Sequence, residues 1–442
     1  MDTLISHATV VTMDEQNHIL PDAFVGITEG KISYLSRKAP GEAEGKPRTI
    51  IDGTGLVLMP GLINCHAHMP MTLLRGYADD CNLKEWLDDR VGPREDRLDS
   101  RCVKAATRLA IAESLQFGVT SFSEMYNFCG DICEVVAETG IKANISRGTL
   151  CFDGENFDFE KDFRCQESVE LLNTWQNYDN GRIRVDAAVH GEYTSCYQMW
   201  DAVSEYAINN GLRMHVHLSE TENEHESCKE KYGLTPAQIL DCHHVFDNGG
   251  LAAHCVWLEE EDMDLLAKRK VSAVHCPISN GKLGSGAADV MTMIRHGMNV
   301  ALGTDSVASN NNLDLFEEIK AAALEAKVLH HDATALNAQA VLMMATVCGA
   351  RAQGREKECG MVKLGMDADL ILLDFTRPHL IPCHDVLSQL AYACSGHDVC
   401  MTMVRGKILY ANGQFTSIDM NAVVKELTDY VMPHIFSNEE SK

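Results

Sequence analysis

The chain has 442 residues, 45% of them hydrophobic and 23% charged, enough for one large globular domain or a large domain with a small one. Its 64 acidic residues outweigh 38 basic ones, a net charge of −26, which argues against binding nucleic acid or an anionic membrane through a general basic surface. Seventeen cysteines occur without a Cys-x-x-Cys pair, the opening "MDTLISHATV" does not read as a secretory leader, and no stretch approaches a membrane span. We therefore expect a cytoplasmic protein with free thiols.

Residues 1–57 hold "TLISHATVVTM", "AFVGITEGKISYLS" and "RTIIDGTGLV", which alternate like strands between turn residues. Eight short apolar runs follow, each ending on a polar residue. They are "LVLMPGLINCHAH" (His66, His68), "GVTSFSE" (Glu124), "IKANISR" (Arg147), "RIRVDAAVH" (His190), "LRMHVHLSE" (His217, Glu220), "GGLAAH" (His254), "KVSAVH" (His275) and "MNVALGTD" (Asp305). Between them lie segments of helical spacing such as "SRCVKAATRLAIAESLQF", "ESVELLNTW" and "SCYQMWDAVSEYAINN". Eight alternations of buried strand and amphipathic helix predict an α/β protein of the (β/α)8, TIM-like barrel type over residues 58–356. After the charged, Gly-containing "GREKECGMV", residues 357–442 return to strand-like runs, "MDADLILLDF" and "MTMVRGKILYANGQF", and finish on a closing helix, "DMNAVVKELTDYVMPHIF". The two flanks are expected to meet as a small composite β-sandwich beside the barrel.

Chemistry in such a barrel sits at the C-terminal ends of its strands. Two histidines at i and i+2 on a strand point the same way, but 19 histidines produce about one such pair by chance, so context must supply the specificity. His66 and His68 offer two nitrogens from the first strand end and His217 a third from the fifth. Asp305 offers an oxygen from the eighth, which ring closure puts beside the first. Three imidazoles and a carboxylate suit one divalent cation, zinc first, with iron(II) or manganese(II) as alternatives. Such an ion lowers the pKa of its water toward ~7. His215 shares the face of His217 one layer deeper and reads as packing or support. His275 lies near the site by position, where it binds either substrate or polar backbone.

"PGLINCHAH", "HVHLSE", "AAHC" and "GTD", in this order, make the chain similar to the amidohydrolase superfamily, in its cytosine/adenosine deaminase-like branch. The resemblance spans nearly the whole chain. It implies a single metal on His66, His68, His217 and Asp305, with Glu220, Asp305 and His254 as catalytic proton-transfer residues. "HMPMTLLRGYADDCNLKEWLDDRVGPRED" further resembles the 5′-methylthioadenosine/S-adenosylhomocysteine deaminase group. That resemblance implies substrate contacts from Trp86, Glu95, Arg147, Arg164 and His190. Glu95 suits the ribose hydroxyls, Trp86 a thioether or sugar face, and the two arginines an amino-acid carboxylate.

The implied reaction is hydrolytic deamination of an adenosine derivative. The substrate is adenosine, 5′-deoxyadenosine, 5′-methylthioadenosine or S-adenosylhomocysteine, and a homo-oligomer is compatible with the sequence. Deamination of guanine, 8-oxoguanine or a pterin, and amino- or chlorohydrolysis of a triazine, need the same metal site and stay open; a non-catalytic scaffold is the remote alternative. One departure stands out. After His190 the chain reads "HGEYTSC", with Glu192 where the group implies proline. An acid facing the substrate there would either repel the carboxylate of S-adenosylhomocysteine, leaving the smaller nucleosides less affected, or recruit an amine or hydroxyl.

Overall fold

The computed structural model describes residues 1–14, 16, 18–81, 85–153 and 157–437; the last five residues of the expected C-terminal unit lie outside them. The N-terminal flank forms β1 (Thr3–Val11), β2 (Ile19–Thr28), β3 (Lys31–Ser36), β4 (Thr49–Asp52) and β5 (Leu56–Pro60). Eight strands follow: β6 (Leu62–Ala67), β7 (Val119–Tyr126), β8 (Lys142–Arg147), β9 (Ile183–Ala188), β10 (Met214–Leu218), β11 (Gly250–His254), β12 (Val271–His275) and β13 (Asn299–Leu302). They pair in sequential order as one parallel sheet. The ring is completed where the Asp305 N–H donates to the His66 carbonyl at 3.0 Å and Ala67 bridges in parallel to Asp305. The apolar runs fit strands covered on both faces: β6, β7, β8 and β10 to β12 are buried along their whole length. Helices such as Ser100–Gln116, Phe163–Trp175 and Leu315–His330 fall in the expected intervals.

The C-terminal flank adds β14 (Leu370–Asp374), β15 (Val399–Val404), β16 (Lys407–Ala411) and β17 (Gln414–Phe415). β14 runs antiparallel to β5, with Leu370 opposite Pro60 and Asp374 opposite Leu56, so the flanks join through hydrogen bonds into one nine-stranded ladder. Their shared core holds Ile5, Val10, Val25, Leu58, Leu370, Leu372 and Met403. The run "LVLMPGLINCHAH" is thus two strands. β5 spans the boundary expected at residue 57, and the chain crosses from flank to barrel at Gly61. A Cβ at Gly61 would lie 2.1 Å from Thr120 Cγ2, so only glycine lets the crossing pass this close to β7.

The closing helix runs as Met420–Glu426, a wider π turn over Leu427–Val431, and Met432–Phe436. Its Val431 and Ile435 pack on Leu73, Cys102 and Ala106 of the barrel. All seventeen cysteines are free. Among the described residues, no helix is long and apolar enough to cross a membrane.

Candidate active site

Asn64, His66 and His68 alternate along the end of β6, and His66 is fully buried. His66 Nε2 lies 3.5 Å, and His68 Nε2 3.3 Å, from Asp305 Oδ1; His217 Nε2 is 3.4 Å from His68 Nε2. His66, His68 and His217 form one group whose ligand atoms all lie within 4.8 Å of one another, and His66, His254 and Asp305 form another. Side chains from β6, β10, β11 and the turn after β13 therefore share one small volume.

Their outer atoms are all engaged. His68 Nδ1 meets the Met125 carbonyl at 2.5 Å and His217 Nδ1 the His190 carbonyl at 2.7 Å. His66 Nδ1 meets His215 Nε2 at 2.9 Å; His215 Nδ1 meets Ser146 Oγ at 3.2 Å, and Ser146 Oγ donates to the Glu124 carbonyl at 2.7 Å. In the neutral ring, an Nδ1 that donates outward leaves the Nε2 lone pair toward the centre. His66 Nε2 is buried without a hydrogen-bond partner, an orphan that a cation would satisfy. Asp305, at a left-handed φ of 58°, accepts at Oδ2 from Ser279 (2.5 Å) and Ser309 (2.9 Å), which turns Oδ1 to the imidazoles. Burial keeps His217 well below the usual histidine range, whereas beside Asp305, and against the burial penalty, His68 rises to about 9. The cluster thus provides neutral donors and also attracts positive charge, which is what a divalent cation requires.

Glu220 and His254 lie against this cluster. His254 Nδ1 bonds Asn280 Oδ1 at 2.9 Å, and its Nε2 is 3.7 Å from Glu220 Oε2. Glu220 Oε1 accepts from Ser285 at 3.1 Å. Burial raises the Glu220 carboxyl, against the opposing pull of His254. One segment after β12, residues 279–285, therefore orients Asp305, His254 and Glu220 together. Sequence reading missed it, although its first two residues, Ser279 and Asn280, end the run "VHCPISN" that begins one residue before His275. Glu124, read from the sequence only as the polar end of its strand, has a role of its own: its Oε2 accepts the Met69 N–H at 2.8 Å, fixing the turn that follows His68.

Around the mouth, Trp86 is buried and its Nε1 donates to the Ala308 carbonyl at 3.4 Å, which pins it to the turn after Asp305. Glu95 accepts from the Tyr126 hydroxyl and lies within electrostatic reach of His68. The His190 ring packs on His217 at 4.6 Å with Nδ1 on Thr194 Oγ1 (2.9 Å). The half-exposed Tyr193, another residue missed, stands edge-on to His190 at 6.2 Å.

The remaining expected contacts are placed differently. Arg147 is buried and committed, Nε to Glu167 at 2.5 Å and Nη1 to the Gly148 carbonyl at 2.6 Å. Arg164 stacks on Phe163 at 4.3 Å and lies 3.5 Å from Asp162. His275 is buried with Nε2 3.3 Å from Glu325 of the helix Leu315–His330, outside the group of converging imidazoles. Glu192 is buried toward Cys228 and Lys231 of the helix Glu222–Tyr232. Its acid faces that helix, where Lys231 opposes its charge.

The sequence pattern described as the Amidohydrolase family matches residues 57–409. The chain belongs to the amidohydrolase family. This amidohydrolase is 42% identical over 426 residues to a 5′-deoxyadenosine deaminase of Methanosarcina acetivorans, covering 96% of each chain. It is 40% identical over 437 residues to a 5-methylthioadenosine/S-adenosylhomocysteine deaminase of Acetivibrio thermocellus, covering 98% of this chain and all of that one. Among solved structures it superposes on an adenosine deaminase of Xanthomonas campestris with bound zinc at a TM-score of 0.93, with 34% identity and 98% of each chain covered.

Proposed function

We propose that this amidohydrolase removes the 6-amino group of an adenosine derivative by hydrolysis, giving the inosine analogue and ammonia. One observation carries the reading: four ligand-type side chains meet beside a buried acid and imidazole. The relatives named above, deaminases of adenosine or its 5′-modified forms, support the choice of substrate class.

When bound by His66, His68, His217 and Asp305, a divalent cation, zinc in this reading, supplies Lewis acidity and an activated water. Glu220, raised by burial, carries a proton nearer to neutrality than an exposed carboxyl and delivers it to purine N1. Asp305, anchored through Oδ2, presents Oδ1 to the centre, where it would accept the proton of the attacking water. His254, oriented by Asn280, passes a proton to the departing nitrogen, which leaves as ammonia. His190 lines the purine side, while Glu95, with Tyr126 behind it, receives the ribose hydroxyls.

Arg147 is engaged by Glu167, and Arg164 by Phe163 and Asp162. A substrate amino-acid carboxylate would have to compete with these pairs. The order we propose is therefore 5′-deoxyadenosine and 5′-methylthioadenosine ahead of S-adenosylhomocysteine. Metal-replete protein tested on a panel of purines, read by loss of the adenine chromophore and release of ammonia, decides both points. Turnover of guanine with none of any adenosine derivative overturns the reading; the highest kcat/KM on S-adenosylhomocysteine overturns the order.

A further inference from the structure

The turn that presents Glu220 is held by a second buried carboxylate. β10 ends at Leu218, and Ser219 then takes a left-handed backbone with φ of 48°, a region that side chains other than glycine enter at a cost. The turn lifts the Ser219 and Glu220 N–H groups out of the strand ladder, and both need acceptors. Glu224 supplies them: Oε1 accepts Ser219 N–H at 3.0 Å and Oε2 accepts Glu220 N–H at 2.8 Å.

Glu224 is only 6% exposed and sits at the third position of the helix Glu222–Tyr232, whose cap Thr221 accepts the Glu224 N–H at 3.2 Å. An acid at this position ordinarily reaches back to the N–H of the cap itself. Here it also reaches past Thr221 and holds the two residues before it. The opposite side of the turn is also tied: the Ser219 carbonyl accepts from Val256 at 3.1 Å and Trp257 at 3.0 Å, just after His254. Glu220 and His254 thus ride on turns locked to one another, with Glu224 as the buckle.

We propose that Glu224 is a positioning residue for proton transfer: by holding the 218–220 turn it sets the Glu220 carboxyl against Ser285 and His254. The proposal rests on reading Glu220 as the proton carrier. The test compares full-length, metal-replete Glu224→Gln, Glu220→Gln and the double variant on 5′-deoxyadenosine. It measures kcat, KM, metal content, Tm and amide hydrogen exchange at residues 219–220. Glutamine keeps one acceptor but turns an NH2 against a backbone N–H.

Glu224→Gln is expected to lower kcat by about tenfold to hundredfold, the loss of one charge-assisted bond, with KM within about twofold. Metal content stays unchanged, exchange at residues 219–220 accelerates, and the double variant is no slower than Glu220→Gln. A lower Tm with unchanged kcat would reduce Glu224 to a helix cap and overturn the proposal, as would fully multiplicative losses in the double variant. Wild-type turnover by Glu220→Gln alone would remove the reading of Glu220 itself. The exchange rates then still judge Glu224, and unchanged exchange overturns its role in holding the turn. If Glu224→Gln fails to fold, Glu224→Asp, which shortens the reach, gives the same comparison.

Discussion

The barrel buries charge at both ends, and the two ends treat it differently. On the side where the strands begin, Arg355 is wholly buried and its guanidinium donates to Asn144 Oδ1 and to the carbonyls of Gly181, Ala143 and Arg182. Beside it Gln353 bonds Ser121 and Ser123. Lys142, also wholly buried, joins Asp367 at 2.6 Å and Asp369, tying the barrel to the flank sheet. Nearly every donor there has its acceptor. Where the strands end, His66 Nε2 has none and three more ligand-type groups face the same space. Buried polarity that is fully paired reads as structure, and buried polarity left with a common vacant direction reads as chemistry.

The comparison breaks most severely if changes at the mouth spare activity. Asp305→Asn or His66→Ala is expected to drop turnover to background and metal content well below one ion per chain, measured by elemental analysis. Glu220→Gln should keep the metal and lower kcat by about 10²–10⁴-fold, the worth of one positioned proton donor.

At the other end Lys142→Met should cost about 3–5 kcal/mol in urea unfolding, because the buried Asp369 loses its ammonium partner and Asp367 keeps only Lys31 and Arg405, while kcat of the folded protein holds. Opposing its burial, Lys142, with Lys31 beside it, draws the Asp367 carboxyl down to about 2 from 3.8. That stabilisation is complete above pH 3.8 and disappears as the pH falls through about 2, and Lys142→Met should flatten this acid limb of the stability profile. The smallest effect is expected from Glu192→Pro, at the first position of a short helical turn where proline is tolerated. The ratio of kcat/KM for 5′-deoxyadenosine over S-adenosylhomocysteine should stay within about twofold. A larger shift would show Glu192 acting on the substrate after all.

The barrel was legible because parallel strands covered on both faces leave unbroken apolar runs, and each run here stops at a polar residue on the catalytic rim. His66, His68, His217 and Asp305 could be grouped because ring closure makes the first and last strands neighbours. What escaped reading depends on tertiary geometry. Gly61, the crossing from flank to barrel, looks like the middle of one strand until Thr120 is seen against it. Arg147 looks free until Glu167, on a helix twenty residues on, closes on it. Glu192 looks like a substrate contact because the rotation of a three-residue turn leaves no trace in composition. Ser279, Asn280 and Ser285 carry no signature beyond polarity; their roles exist only through the side chains they orient.

The closing helix has a consequence for the order in which the protein matures. Arg94, one residue before Glu95, donates to the Ile435 carbonyl, 341 positions further along. During synthesis the barrel strands have all left the ribosome well before that brace exists. The loop that carries Glu95 gains this support only when the closing helix docks, so that side of the mouth is completed late, after His66, His68, His217 and Asp305 are already in place.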